Sequence, residues 1–179
     1  MPIGPKGLLR LVRERKLVEN LSDRETQNPE GAGFDLRVGE IYEIEGPGFL
    51  GIEERKTPGN KLLAKYTENS SSSFKFELGK YYLVTTIEEV NVPAELAGYT
   101  SPRTTLFRSG LNLLCSPVQP GYRGKLTFEI INLGPSMIEI ELGARIVHIQ
   151  FEVVDGGGIA YRGQWQNGRI AATKKEKQV

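Results

Sequence analysis

The stretch KLTFEII (residues 125–131) alternates without a break: Leu126, Phe128 and Ile130 fall on one side, Lys125, Thr127 and Glu129 on the other. A period of two is the geometry of an extended strand with one face against a core and the other turned away. It therefore reads as a β-strand that carries a carboxylate, Glu129, on its outward face. Polar residues are ordinary on the solvated face of an antiparallel sheet. If another subunit covers that face, however, Glu129 is partly desolvated and able to hold or pass a proton near neutral pH.

Immediately upstream stand a Pro-Gly turn, QPGYRG (residues 119–124), and the segment RTTLFRSG (residues 103–110), with two arginines, two threonines and Ser109 ahead of Gly110. Guanidinium forks match phosphate oxygens, and hydroxyls and backbone N–H groups near a glycine add short hydrogen bonds. A polyphosphate suits such a cluster; a solvated polar surface is the plainer alternative.

Further out, YYLVTTIEEVNV (residues 81–92), SMIEIEL (residues 136–142) and RIVHIQFEVV (residues 145–154) are short, rich in Val, Ile, Tyr, Phe and Thr, and mostly alternating. Gly and Pro punctuators such as GPGFLG, TPGN, NLGPS and DGGG separate them at the intervals expected of an all-β sandwich or barrel. A parallel α/β sheet would need a helical crossover after most strands. One helical pattern is visible, PKGLLRLVRERKLV (residues 5–18), where Pro5 suits a first turn and Leu8, Leu9, Leu11, Val12 and Leu17 share a side. The ENSSSS run (residues 68–73) reads as a loop tip, and the aperiodic, charged ATKKEKQV (residues 172–179) as a mobile tail.

With 179 residues, 39% of them hydrophobic, the chain suffices for one core, so a single domain spans 1–179, with a helical region at 1–20 and an arm and tail at 155–179. The 23 basic and 22 acidic residues leave a net charge of +1, which offers no long-range field for nucleic acid or an anionic membrane. A lone Cys115 cannot form an internal disulfide, and the N-terminus has no apolar run of signal-peptide or membrane-span type, so a cytoplasmic location is expected. One Cys and one His make a zinc site a poor expectation, and His148 reads as a hydrogen-bonded strand residue beside the core. Neither a phosphate loop nor a dinucleotide-binding glycine motif is present.

The order of motifs resembles the dCTP deaminase and dUTPase superfamily, its deaminase branch in particular. GAGFDLRVG (residues 31–39) is similar to the family's early motif ending in Asp-Leu-Arg, and ELGKYYLVTTIEEVNVPAELAG (residues 77–98) to the strand pair that follows. RTTLFRSGL resembles its Arg-Ser-Ser-Leu-x-Arg-x-Gly-Leu, QPGYRGKLTFEIIN its hairpin and Glu-bearing strand, GARIVHIQF a later strand, and YRGQ (residues 161–164) its closing arm.

The resemblance implies a distorted jelly-roll or β-barrel of the dUTPase type with a short N-terminal helix, assembling as a homotrimer with nucleotide sites between subunits. It further implies that Arg103, Thr104 and Thr105 hold a triphosphate carrying Mg²⁺, with no metal bound directly by the protein. Arg108 and Thr104 would orient the reacting centre, Glu129 would activate water, Gln119 and Tyr122 would line the substrate site, and Tyr161 and Gln164 would close over it. The implied activity is deamination of dCTP to dUTP and ammonia. The alternatives are hydrolysis of dUTP to dUMP and pyrophosphate, alone or alongside deamination, and a nucleotide-binding trimer without turnover.

The chain departs from the family pattern at several positions. Gln119 stands where an aspartate is usual, Thr104 where a serine is, Ala160 where a lysine is, and His148 where glutamine is common; the loop NLLCSPV (residues 112–118) is short. The missing aspartate weighs most against dUTP hydrolysis.

Overall fold

In the computed structural model, which describes residues 1–178, the elements run α1 (Pro5–Arg15), β1 (Val18–Glu19), α2 (Asp23–Gln27), β2 (Gly33–Glu45), β3 (Phe49–Leu50), β4 (Glu54–Lys56), β5 (Gly59–Lys65), β6 (Ser73–Phe76) and β7 (Tyr81–Asn91). They continue as β8 (Leu96–Pro102), α3 (Thr104–Arg108), β9 (Leu111–Leu114), β10 (Arg123–Asn132), β11 (Ile138–Glu141), β12 (Arg145–Val153), a 3-10 turn at Gln166–Gly168 and β13 (Glu176–Lys177). The main sheet has the order β8-β12-β2-β7-β10-β9, with β1 joined to β7 and β5 to β2. It curls into a nearly closed barrel, the distorted jelly-roll that the strand spacing and the family resemblance lead one to expect. All of its pairings are antiparallel.

The alternation in β10 holds in three dimensions. Leu126, Phe128 and Ile130 are buried, whereas Lys125, Thr127 and Glu129 are only partly covered. A register shift against β7 falls between Lys125 and Thr127, and there the Leu126 N–H, deprived of a ladder partner, donates to the Thr86 hydroxyl at 3.0 Å. The core beneath contains Phe34, Leu36, Ile41, Phe76, Ile149 and Phe151, all fully buried. Each such side chain contributes about 1.5–3 kcal/mol by leaving water. Phe74, Phe76 and Tyr82 add a triangle of edge-to-face rings with centroids 5.1–5.2 Å apart.

Helix α1 starts at Pro5 as the sequence suggests and ends where Lys16 turns left-handed (φ 53°), its N–H reaching the Leu11 and Val12 carbonyls. Its Leu8 is wholly buried, and Leu9, Leu11 and Val12 pack at the edge of the core. Two five-residue helices, α2 and α3, have no counterpart in the sequence reading, since one turn is too short to show a period.

The tail also differs from expectation. Glu176 and Lys177 pair with Arg55 and Glu54 on β4, and the Gln178 N–H donates to the Glu53 carbonyl. Ala172 is buried, its N–H on the Thr57 hydroxyl at 2.8 Å and its carbonyl receiving the Thr57 N–H at 3.0 Å. Backbone pairing of this kind needs no apolar periodicity, so composition alone does not reveal it. Among the described residues no helix is long and apolar enough to cross a membrane.

Candidate active site

Asp35 lies on β2 between the buried Phe34 and Leu36 and is itself only 4% exposed. Its Oδ2 accepts from Arg145 Nη1 at 2.9 Å and also from Arg103, while Oδ1 meets His148 Nδ1 at 2.9 Å. The Asp35 N–H donates to Glu25 Oε2 at 3.0 Å, and Glu25, equally buried on α2, is paired with Arg24. Two carboxylates removed from water each cost several kcal/mol unless paired. Here three guanidinium groups and an imidazole meet that demand. Burial, and next the nearby Arg145 and Arg24, hold Arg103 below the ordinary arginine value, though it stays cationic. Burial likewise lowers His148, against the opposing pull of the Glu25 charge and with the Arg103 charge adding to the lowering.

Arg103 is tied to this hub by its side chain and to β12 by its N–H, which donates to the Ile146 carbonyl at 2.9 Å. The chain then makes the single turn of α3, anchored by the buried Leu106. Thr104, Thr105 and Arg108 face outward, and the Arg108 guanidinium stands 6.0 Å from the Phe107 ring centroid. The predicted phosphate cluster thus sits on one exposed helical turn whose first arginine is held from behind.

A second feature is a cavity of about 500 Å³ whose walls include Gln119, Tyr122, Thr127, Tyr161, Trp165 and Arg169. The arm after β12 closes one side of it. The Gly158 N–H donates to the Ala94 carbonyl at 2.8 Å and the Tyr161 N–H to the Pro120 carbonyl at 2.7 Å. Gln166 clasps the hairpin, accepting from the Arg123 N–H and donating to the Gly121 carbonyl, both at 2.9 Å. The Tyr122 and Tyr161 rings meet edge to face at 5.5 Å. Burial pushes the Tyr122 phenol up to about 12, and its hydroxyl donates to the Lys125 carbonyl.

The glycines of PGYRG make this approach possible. Gly121 has φ 77° and Gly124 has φ 118°, both suited to glycine. A Cβ on Gly124 would lie 2.4 Å from the Gly168 nitrogen, and one on Gly121 would lie 2.9 Å from the Ala160 Cβ. Gln164, expected in the closing arm, is indeed there, with both ends of its amide buried and without a hydrogen-bond partner among the described residues.

Glu129 stands at the edge of this cavity. It is cross-strand from Leu83 on one side and Leu114 on the other, with the Tyr81 phenol as a hydrogen-bonding neighbour. Tyr81, Leu83 and Thr127, its neighbours on the outward face, belong to the cavity wall; Glu129 does not. Burial first, then the Glu129 charge, raise the Tyr81 phenol above its ordinary value. Gln119, Tyr122 and Tyr161 are therefore brought together, with Glu129 beside them. Arg103, Thr104, Thr105 and Arg108 are not on the cavity wall. Leu111 pairs with Asn132, so α3 lies beyond the far end of β10, roughly 10 Å of strand away from Glu129.

The sequence reading missed Glu25, Arg24, Arg145 and Arg169. For Arg145 and for Asp35 there was a signal, since a charge within an apolar strand such as GFDLRV or RIVHIQF has to be paired when both faces are covered. For Glu25 there was none, because α2 has no readable period. Among the described residues no group of three His, Cys, Asp or Glu forms a metal-binding cluster.

A family model described as dCTP deaminase-like matches residues 5–154. The chain is 30% identical over 167 residues to a protein named dCTP deaminase from Thermococcus kodakarensis, covering 93% of this chain and 95% of that one. It is 33% identical over 135 residues to a probable deoxyuridine 5'-triphosphate nucleotidohydrolase from Methanothermobacter thermautotrophicus, covering 75% and 85% respectively. Among solved structures, 2'-deoxycytidine 5'-triphosphate deaminase from Agrobacterium tumefaciens superposes with a TM-score of 0.63 at 18% identity, over 86% of this chain and 48% of that one, a likeness of fold. With a family model over most of its length and a relative at 30% identity along nearly all of it, this chain belongs to the dCTP deaminase-like family.

Proposed function

We propose that the protein deaminates dCTP to dUTP and ammonia as a homotrimer, in sites completed by two chains. The observation that carries this reading is the place of Glu129, a half-buried carboxylate on the outward face of β10, set between Leu83 and Leu114 and directly beside the cavity wall. Covering that face with a second copy would shield Glu129 from bulk water and set it against the bound substrate, the position from which a carboxylate can act as general base. The cavity takes the pyrimidine, with Gln119 and Tyr122 on the hairpin side and Tyr161 on the arm. The exposed turn comes from the neighbouring chain; its Thr104 and Thr105, with Arg103 behind them, hold the triphosphate, and its Arg108 turns toward the reacting centre.

In this scheme Glu129 takes a proton from water as the oxygen adds to C4 of cytosine, and delivers it to N3. The second proton of the water passes to the amino nitrogen, the C4–N bond breaks, and ammonia leaves with uracil as product. Arg108 and Thr104 fix the attacking water and the C4 substituents. Arm closure by Tyr161 and Gln164 excludes bulk water and gives the buried Gln164 amide its missing partners. Mg²⁺ would ride on the phosphate oxygens of the substrate, where it supplies charge neutralisation.

A second reading, hydrolysis of dUTP to dUMP and pyrophosphate, is favoured by the relatives that carry that name at 33% identity. It lacks a carboxylate at the hairpin, where Gln119 stands. Incubating the protein and Mg²⁺ with dCTP and, separately, with dUTP decides between them. Ammonia from dCTP without pyrophosphate supports deamination alone, and ammonia together with pyrophosphate supports a bifunctional enzyme. Pyrophosphate from dUTP without ammonia from dCTP replaces the first reading with the second, and binding without turnover removes both.

A further inference from the structure

Among the described residues, Arg169 is the one charged residue on the wall of the 500 Å³ cavity. It follows the arm and opens the strap that ends in β13. Its guanidinium is already occupied: Nη1 and Nη2 donate to the two Glu176 oxygens at 2.9 and 2.5 Å, and Nε donates to the Ala171 carbonyl at 2.9 Å. A carboxylate in this two-point geometry occupies the same fork that a phosphate would. The pair is substantially exposed, 41% for Arg169 and 31% for Glu176, so water and salt screen it and exchange of one anion for another is easy. A dianionic phosphate competes well with a single carboxylate for that fork. The strap is also tied to the cavity itself, because Thr57, which exchanges two hydrogen bonds with Ala172, is a wall residue.

We propose that Arg169 binds a phosphate of the nucleotide and that Glu176 is its resident competitor, so that ligand entry exchanges one anion for the other and loosens the strap at 171–178. This rests on reading the cavity as the nucleotide site. The pair gives opposite signs for its two members. Arg169→Gln removes the ligand's partner and weakens binding; Glu176→Gln removes the competitor and strengthens it.

Calorimetric titration of the full-length chain with dCTP, and with inorganic tripolyphosphate as a base-free probe, tests this. Arg169→Gln is expected to weaken dCTP about tenfold, the loss of one charge-assisted fork, and Arg169→Lys by less. Glu176→Gln is expected to tighten both ligands several-fold. Glu54→Gln, which removes the same charge from the strand paired with the strap, is expected to leave affinity near wild type. Weakening by both Arg169→Gln and Glu176→Gln, no change in either, or equal tightening by Glu54→Gln would each overturn the proposal. Opposite shifts in a wild-type protein that binds dCTP but releases no ammonia would uphold the exchange while removing the deaminase reading. Failure of the wild type to bind either ligand removes both.

Discussion

Two carboxylate settings in this molecule make opposite use of burial. Around Asp35 the charges are complete within one chain: Arg103, Arg145 and His148 take its two oxygens, and Glu25 takes its N–H. Glu129 is only half covered, with Leu83 and Leu114 across the strands, the Tyr81 phenol as a hydrogen-bonding neighbour and no cationic partner among the described residues. A closed network fixes geometry, whereas an open one leaves a group free to change its state when something covers it. The first region is a closed scaffold behind Arg103; the second holds the carboxylate to which the proposed function gives the proton transfer.

That contrast gives an ordered series of expectations. Replacing Glu129 by Gln keeps the shape and removes the proton carrier, so dCTP deamination should fall by about a hundred- to ten-thousandfold while the dissociation constant for dCTP stays near wild type. Turnover at the wild-type rate would end the distinction between the two regions. Replacing Asp35 by Asn leaves Arg103 and Arg145 facing each other without their counter-charge. It should cost about 3 kcal/mol in urea unfolding, and should weaken dCTP binding more than it lowers the rate of bound substrate. A stability loss with unaltered affinity would show that Asp35 holds the fold but not Arg103.

Gly124→Ala should unseat the arm, since its Cβ would meet the backbone at Gly168. Limited proteolysis should then cut within 155–170 several times faster than in the wild type, with little loss of barrel stability. Unchanged protection would mean that the arm is held elsewhere.

The smallest expected effect is in pH dependence. Burial places the folded His148 below its free value of 6.5, among Asp35 from β2, Glu25 from α2, Glu30, Arg103 and its own-strand neighbour Arg145. A depressed value means that the unfolded chain binds the proton more readily, so this contribution is complete above pH 6.5 and is lost as pH falls through the folded value. Glu88, raised by burial, acts with the opposite sign, because its contribution is complete in acid and fades as pH rises. The difference between wild type and His148→Gln across pH 7 to 5 isolates the imidazole: the variant should lose less stability on acidification. Parallel curves would show that His148 does not titrate differently in the fold.

Much of this was legible in the residues. Alternation in 125–131 and its sister segments specified the strands and correctly turned Glu129 outward, and the Pro-Gly turn marked the hairpin that carries Gln119 and Tyr122. What stayed hidden was long-range and polar. The Arg103–Asp35 and Arg145–Asp35 pairs join residues far apart in sequence, and no local period announces them. The tail looked mobile because it is charged and aperiodic, yet it is tied by one backbone and one hydroxyl hydrogen bond at Thr57 and by a guanidinium fork.

Glu129 and the Arg108 turn are proposed to serve one site from two chains, an arrangement that mixing inactive variants exposes. Glu129→Gln and Arg108→Ala, each silent alone, should release ammonia from dCTP after being unfolded and refolded together, because mixed assemblies then contain sites with both residues intact. A mixture as silent as its components, although mass measurement finds mixed assemblies, would contradict it.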